Sequence, residues 1–249
     1  MKIAVLFVAH KYNESSIIGY NRLVNELDNN IYDVIWCVPF DVKVDDESIN
    51  VYRYGNTFVK RDGFYNPSFI LERFYIEYKN YSYYYIHEYD VSYNGNYKDI
   101  FDKLDNYNNA DLICAYVQKK TDKIYWQWWN TFKSKTDKLY PNYTLLKSCL
   151  SFCRLSNTAL NLITSYSEKR NDIIYELYYP TICYHRGLKI SSLDDTVSDV
   201  EFRNNYKYCR RNYYWFSVNI NAKYDNEKLV ESSISIPDNI LVTKIDLHK

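Results

Sequence analysis

Two carboxylates one residue apart, Glu88 and Asp90, follow directly after a tyrosine-rich run that has the character of a buried strand. Side chains two residues apart in an extended chain face the same side, so both acids would point into one small volume. Carboxylates held this close repel, and a hard divalent cation such as Mg²⁺ or Mn²⁺ relieves the repulsion. Such a cation also neutralises the oxygens of a departing diphosphate. The triplet of residues 88–90 therefore predicts a metal and diphosphate site.

Hydrophobic patterning predicts the elements that position this triplet. The predicted strands cover 2–9, 32–39, 50–54, 81–87, 110–117 and 149–155, and two further segments, 215–220 and 234–245, could be edge strands. The predicted helices cover 15–28, 68–78, 97–104, 158–165 and 172–177. Pro180 is expected to end the last helix. Strand, helix and strand in this order form a βαβ unit, which implies a parallel sheet. Ligands bind beyond the carboxyl ends of the strands in such sheets, and the triplet lies at such an end.

Composition narrows the class of protein. The chain has 249 residues, 47% of them hydrophobic, which suits one α/β domain. We expect this domain at residues 1–192, with a small C-terminal appendage at 193–249 that packs on the domain. The 31 basic and 31 acidic residues balance, which argues against nucleic-acid binding. Six cysteines, most of them in apolar runs and none in a CxxC pair, predict reduced thiols. With no apolar run of membrane-spanning length, we expect a cytoplasmic protein without a transmembrane segment.

A βαβ start followed by an acid-x-acid triplet at the end of a mid-domain strand resembles the GT-A glycosyltransferases, over about residues 1–190, and in size the small bacterial and viral members. The resemblance implies a mostly parallel central sheet flanked by helices. It also implies Mn²⁺ or Mg²⁺ and transfer of a hexose or deoxyhexose from a UDP-, GDP- or dTDP-linked sugar to a hydroxyl of a glycan acceptor, with inversion favoured. The first acid here is Glu88 rather than an aspartate. Asp90 is therefore the expected metal ligand, while Glu88 ligates the metal or contacts the sugar or a water.

The same resemblance assigns donor-binding roles before and around the triplet. The base, ribose and diphosphate contacts fall on Ala9, His10, Lys11, Tyr12, Asp41, Arg61, Arg73 and Tyr89, beside the two acids. Three of these have plainer alternatives. Lys11 could be a solvated loop lysine, and Asp41 could be a turn residue after Pro39. Arg73 could pair with Glu77 on the surface of a helix, four residues on.

The acceptor side is expected in the second half of the chain. Glu176 precedes a Tyr-Tyr-Pro-Thr stretch, as the catalytic acid does in the resembled transferases, and its apolar neighbours would raise its pKa towards that of a useful base. The alternative is a helix-surface glutamate, with Asp122 and Asp137 as substitutes. His185 could complete the metal shell or be a loop histidine. Rings that could stack on acceptor sugars belong to Trp126, Trp128 and Trp129, although at least one of them is expected in the core.

Two other functions compete with the transferase. A nucleotidyltransferase also uses paired acids and Mg²⁺, but such enzymes usually carry a glycine-rich phosphate loop near the N-terminus. The five glycines of this chain are isolated, which also argues against P-loop and dinucleotide-binding folds. A non-catalytic binding protein on the same fold is the second competitor, and substitution of the paired acids would leave its binding intact.

Overall fold

The computed structural model describes residues 1–54, 68–89, 91–93, 95–107, 109–122, 129, 144–165, 173–193, 223–225, 228–231 and 241–243. The strands are β1 (Ile3–Val8), β2 (Tyr32–Pro39), β3 (Val51–Tyr54), β4 (Tyr83–Glu88), β5 (Val91–Tyr93), β6 (Leu112–Lys119), β7 (Leu146–Ser156), β8 (Ile190–Ser192), β9 (Lys223–Asp225), β10 (Lys228–Glu231) and β11 (Leu241–Thr243). The helices are α1 (Glu14–Glu26), α2 (Ser68–Glu77), α3 (Tyr97–Tyr107), α4 (Asn157–Ser165) and α5 (Tyr175–His185), with a short 3₁₀ turn at Lys120–Asp122.

Seven strands form the central sheet in the order β3-β2-β1-β4-β7-β6-β8. The pairs β3–β2, β2–β1, β1–β4 and β6–β8 are parallel, and β7 runs antiparallel to both of its neighbours. Six of the seven strands therefore point the same way. This arrangement confirms the predicted α/β class with a mostly parallel central sheet flanked by helices.

The two faces of the sheet are covered by different helices, because side chains alternate along each strand. On β4, Tyr84 and Ile86 pack with apolar residues of α2, α4 and α5. Tyr85 of the same strand packs on the opposite face with α1 and α3. Because the sheet is buried on both faces, its strands are nearly continuous apolar runs, which explains why their positions were predictable.

Strand β7 brings residues to the edge where the parallel strands end. Since it runs antiparallel to them, its first residues lie where β6 finishes and extend past the end of β4. The register pairs Lys147 with Gln118 near the end of β6, and Phe152 with His87 near the end of β4. The first residues of β7 therefore reach the carboxyl edge of the sheet.

Helix α5 differs from the prediction, which ended it at Pro180. The helix runs from Tyr175 to His185 with Pro180 inside it. Proline removes one backbone hydrogen bond and crowds the preceding turn, so an isolated segment would break there. Every residue from 175 to 183 is buried, and this packing overrides the local preference.

Local capping fixes where two helices begin. In α1 the Asn13 side chain accepts a hydrogen bond from the Ser16 amide at 3.0 Å, and the Ser16 hydroxyl accepts one from the Asn13 amide at 3.0 Å. This reciprocal pair is a capping box. In α4 the Ser156 hydroxyl accepts from the Ala159 amide at 3.0 Å and caps the start of the helix.

Part of the C-terminal region contacts the segment that follows the triplet. Strand β11 pairs antiparallel with β5, matching Thr243 with Val91 and Leu241 with Tyr93. Strands β9 and β10 form a separate antiparallel pair. The predicted strand at 215–220 lies outside the described residues, and the domain boundary at residue 192 stays a prediction. Within the described part of the chain, no helix combines the length and apolar character needed to cross a membrane.

Candidate functional site

The first acid of the triplet lies at the carboxyl edge of the sheet. Glu88 is the last residue of β4 and pairs in register with Val8, the last residue of β1. The Tyr89 amide donates to the Val8 carbonyl oxygen at 3.0 Å, which ties the start of the following loop to β1. Asp90 lies outside the described residues, so its role as metal ligand stays a prediction.

A tyrosine at the start of α5 holds the Glu88 side chain. The Tyr175 hydroxyl donates to Glu88 Oε1 over 2.8 Å, and the Tyr175 ring is buried. Burial, followed by the charges of Glu88 and Glu176, raises the pKa of Tyr175 well above its ordinary value. The hydroxyl therefore keeps its proton and remains a donor to the carboxylate. Glu88 is half-buried and oriented from a second element of the fold.

The proposed base, Glu176, is the next residue along α5 and is only 3% exposed. The helix-surface alternative does not hold for a side chain so excluded from water. Its charge, like that of Glu88, raises the pKa values of Tyr175 and of Cys149 on β7, in each case after burial as the larger cause. The first turn of α5 thus carries both the tyrosine that holds Glu88 and the buried Glu176.

A buried lysine that the patterning did not single out lies near the start of β7. Lys147, the second residue of β7, is 3% exposed. Burial lowers its pKa to about 8, and the charge of Glu176 opposes that shift. Its Nζ lies 6.0 Å from the centroid of the Trp129 ring. One signal was present in the sequence: a lysine inside the run Leu-Leu-Lys-Ser-Cys-Leu, since lysine is almost never fully buried unless it is paired.

The predicted donor-binding residues follow β1 at the same edge. The rings of His10 and Tyr89 meet edge to face with centroids 4.8 Å apart, which joins the β1 loop to the triplet. Tyr12 lies against the buried Trp36, with centroids 5.3 Å apart. Ala9 is fully buried and its amide donates to the Cys37 carbonyl oxygen at 3.0 Å, so it offers little beyond backbone. The loop therefore packs its aromatic rings against Tyr89 and Trp36, on the face of the sheet that α1 and α3 cover.

Lys11 and Asp41 lie in the loops that follow β1 and β2. The Lys11 carbonyl oxygen accepts from the Ser16 hydroxyl at 3.3 Å, and its side chain is half-buried. Asp41 is exposed in the turn after Pro39. The turn alternative fits this placement of Asp41, and its nucleotide contact stays a prediction.

Several predicted site residues are not brought to the carboxylates. Arg73 is exposed on α2, and its Nε lies 3.3 Å from Glu77 Oε1, which is the surface ion pair given above as its alternative. His185 ends α5, and its Nε2 lies 3.1 Å from the Thr144 carbonyl oxygen. Ten residues of helix separate it from Tyr175, a rise of about 15 Å. This separation does not support His185 as a ligand of a metal ion that Glu88 would bind.

The outcome differs among the three tryptophans predicted to stack on acceptor sugars. Trp129 is 5% exposed and packs in the core, as expected for at least one of the three, so it does not offer an open ring for stacking on a sugar. Trp126 and Trp128 lie outside the described residues, as does Arg61, and their roles stay predictions. Asp137 also lies outside the described residues.

The described residues limit how a metal could be held. Among them, no group of three or more His, Cys, Asp or Glu side chains is arranged to bind an ion. Mg²⁺ sites in phosphate-transferring enzymes commonly need only one or two carboxylates, because substrate phosphates and waters supply the other ligands. Glu88, a carboxylate at the edge where a phosphate would enter, fits such a sparse site.

A buried histidine supports the backbone of the triplet. His87 Nδ1 lies 3.1 Å from the Glu88 carbonyl oxygen, which can only accept, so this nitrogen carries the proton. His87 Nε2 lies 3.1 Å from the Tyr97 hydroxyl, whose oxygen accepts from the Tyr93 amide at 3.2 Å. Burial is the main cause that lowers the pKa of His87 to about 3. The imidazole is therefore neutral and joins the end of β4 to the start of α3.

An arginine on α1 fixes the loop after β5. Arg22 is 4% exposed, and its guanidinium donates to the carbonyl oxygens of Tyr93 and Gly95, each at 2.9 Å. Glu26 accepts from Arg22 Nε at 3.1 Å and from the Tyr97 amide at 2.6 Å. Charge-assisted bonds of this kind are the stronger ones in proteins. The loop that follows the triplet is thus held by α1, which lies in the same layer as α3.

Comparison with known proteins identifies no family for this chain and gives a distant likeness in fold. No protein-family model matches the chain, and no curated protein matches significantly. Among solved structures, the fold is similar to that of core-mannan synthase A from Aspergillus fumigatus, determined in an Mn/GDP form. The alignment has 13% identity and a TM-score of 0.45, over 78% of this chain and 73% of that one. A likeness this distant assigns neither a ligand nor a reaction to the present chain.

Proposed function

We propose that this protein is a glycosyltransferase that moves a sugar from a nucleoside diphosphate sugar to a hydroxyl of a glycan acceptor. The observation that carries the proposal is the hydrogen bond from Tyr175 to Glu88 at the carboxyl edge of the sheet, with the buried Glu176 next to Tyr175 on α5. One carboxylate ends a parallel strand, where α/β sheets bind their ligands. The other is withdrawn from water on a helix, where a carboxylate can act as a base.

In the proposed reaction, Glu176 removes the proton of the acceptor hydroxyl. The acceptor oxygen forms a bond to the anomeric carbon of the donor as the bond from that carbon to the diphosphate breaks. The bonding pair leaves with the diphosphate, and the proton stays on the Glu176 carboxyl. Attack from the side opposite the leaving group inverts the anomeric configuration, which favours an inverting enzyme.

The donor side is assigned to Glu88, Asp90 and the loop after β1. A bound Mn²⁺ or Mg²⁺ would supply positive charge to the diphosphate oxygens. Tyr175 orients Glu88, and the His10 and Tyr89 rings contact each other in the loops proposed for the nucleotide. The donor could be UDP-, GDP- or dTDP-linked. Neither a nucleotidyltransferase nor a non-catalytic binding protein is favoured by a separate observation.

The first experiment is a thermal-shift screen of UDP-, GDP- and dTDP-sugars with and without Mn²⁺. A ligand present at about 100 times its Kd stabilises the native state by about 2.7 kcal/mol. For a domain of this size we expect a rise in Tm of roughly 5–10 °C. The absence of a shift with every nucleotide sugar, metal present, would refute the proposal.

Transfer itself is measured as nucleoside diphosphate released in the presence of glycan acceptors. Glu176→Gln should retain the donor-induced shift and lose turnover, whereas Glu88→Gln should weaken the shift. Glu77→Gln is the matched control, because Glu77 is exposed on α2 and should leave both readouts unchanged. A Glu176→Gln variant with full turnover would exclude Glu176 as the base, and normal donor binding with no turnover in wild type would favour a non-catalytic binding protein.

A further inference from the structure

The strand that follows the triplet is not part of the central sheet. Strand β5 has three residues, lies outside the seven-stranded sheet and, among the described strands, pairs only with β11. A two-stranded ladder this short is marginally stable by itself. Val91 and Tyr93 of β5 are nevertheless buried. Other contacts must therefore fix where this strand lies relative to Glu88.

The buried guanidinium of Arg22 supplies contacts of this kind. It donates to the carbonyl oxygens of Tyr93 and Gly95 at 2.9 Å each, and its carbon lies 4.8 Å from the centroid of the Tyr97 ring. Its Nε donates to Glu26 at 3.1 Å, and Glu26 also accepts from the Tyr97 amide at the start of α3. One turn of α1 therefore holds both the end of the loop and the beginning of the next helix.

A directed chain of hydrogen bonds leads from these contacts back to the triplet. The Tyr97 hydroxyl accepts from the Tyr93 amide at 3.2 Å, and its oxygen lies 3.1 Å from His87 Nε2. Because His87 Nδ1 carries the proton donated to the Glu88 carbonyl oxygen, Nε2 accepts from the Tyr97 hydroxyl. Tyr97 and His87 thus join the strand after the triplet to the backbone of its first acid.

We propose that Arg22 is a positioning residue for Glu88, which it holds, through Tyr97 and His87, in the geometry that binds the donor. This inference rests on the proposed transferase function, and it adds no group that touches the donor. Burying a guanidinium costs free energy, and apolar side chains often stabilise a core equally well. The planar fork of Arg22 supplies fixed geometry instead, because it binds two carbonyl oxygens at once.

The kinetic test compares Arg22→Lys with wild type at saturating Mn²⁺. Lysine keeps the positive charge and loses the planar fork, so it does not hold both carbonyl oxygens in the same geometry. The donor KM should rise at least about fivefold, because loss of these hydrogen bonds lets the loop and Glu88 move. The acceptor KM and kcat should change less than about twofold, because the effect is on donor binding and Glu176 lies on a different helix.

Arg154→Lys is the matched control. Arg154 is another buried arginine that donates to two carbonyl oxygens, those of Leu104 at 2.7 Å and Ala110 at 3.2 Å, towards the far end of α3. Its lysine variant should lower the Tm and leave the donor KM at the wild-type value. A donor KM that is unchanged in Arg22→Lys, or raised equally in both variants, would overturn the proposal. Should Arg22→Lys fail to fold, Tyr97→Phe breaks the same chain beside His87, and the same expectations apply.

A measurement without substrate separates this inference from the proposed function. Amide hydrogen exchange in peptides that cover residues 89–97 reports how firmly the backbone after Glu88 is held. Exchange there should be at least about tenfold faster in Arg22→Lys than in wild type, and unchanged in Arg154→Lys. If wild type binds no nucleotide sugar, the proposed function fails while the exchange rates still report on the contacts of Arg22. If the exchange rates in Arg22→Lys match those of wild type, the positioning role is refuted even in an active enzyme.

Discussion

The buried histidine behind the triplet predicts a specific dependence of stability on pH. The pKa of His87 is lowered from 6.5 to about 3 in the folded protein, mainly by burial. Between these values the unfolded chain binds a proton at this histidine that the folded chain does not bind. The His87 contribution is therefore fully present above pH 6.5 and is lost as the pH falls towards 3.

The expected loss of unfolding free energy follows from the difference between the unfolded pKa of His87, 6.5, and the final pH of the experiment. One pH unit within it corresponds to about 1.4 kcal/mol, so lowering the pH from 7 to 5 should remove about 2 kcal/mol of unfolding free energy through His87. The folded-state pKa hardly affects this figure, because any value of about 4 or lower leaves His87 neutral at pH 5. Only the 1.5 units below the unfolded value count.

The assay is urea unfolding of metal-free protein at pH 7 and pH 5. His87→Gln removes the titrating ring, so its loss of stability between the two pH values should be smaller than that of wild type by about 2 kcal/mol. Tyr97→Phe is the matched control, because it deletes the hydroxyl that contacts Nε2 and leaves the ring buried. It should keep the wild-type pH dependence. Parallel losses in wild type and His87→Gln would show that the imidazole is not held neutral, and would refute the reasoning.

Three further predictions concern other buried polar contacts. Asp105→Ala leaves the fully buried Arg154 guanidinium without its carboxylate and should cost about 3–5 kcal/mol in denaturant unfolding, whereas a loss below about 1 kcal/mol would mark the pair as dispensable. Tyr175→Phe removes the hydrogen bond to Glu88 and should weaken donor binding, with a free-energy change of about 1.5–3 kcal/mol in the Kd measured by titration; an unchanged Kd would separate Glu88 from the donor. Thr181→Val removes the two hydrogen bonds that join Thr181 on α5 to the Leu146 backbone on β7. It should cost about 1–3 kcal/mol of stability and lower kcat more than it raises KM. Wild-type kinetics would show that these hydrogen bonds have no part in the site.

The strands of this protein were predictable because a sheet buried on both faces requires continuous apolar runs. Strands β1, β2 and β4 lie within two residues of their predicted ends. Strand β7 begins three residues before its predicted start, since Lys147 and Ser148 interrupt the apolar run at that point.

The parts of the site that the sequence did not reveal depend on contacts between distant segments. The partner of Glu88 is a tyrosine 87 residues away, and nothing in the local pattern distinguishes Tyr175 from the other 29 tyrosines. Helix α5 continues past Pro180 only because its surroundings bury it. Conversely, Arg73 was assigned to the diphosphate from its position before the triplet, while its helix leaves it exposed beside Glu77.

The placement of Tyr175 and Glu176 as consecutive residues has a consequence for how the proposed site works. Tyr175 fixes the carboxylate on the donor side, and Glu176 is the proposed base on the acceptor side. A single helical turn therefore sets both, and α5 is fastened to β7 one and a half turns later by Thr181. Groups carried on packed helices and strands keep their geometry better than groups on loops. Any shift of α5 would displace the support of Glu88 and the base together, so the two halves of the proposed reaction would be lost in concert rather than one at a time.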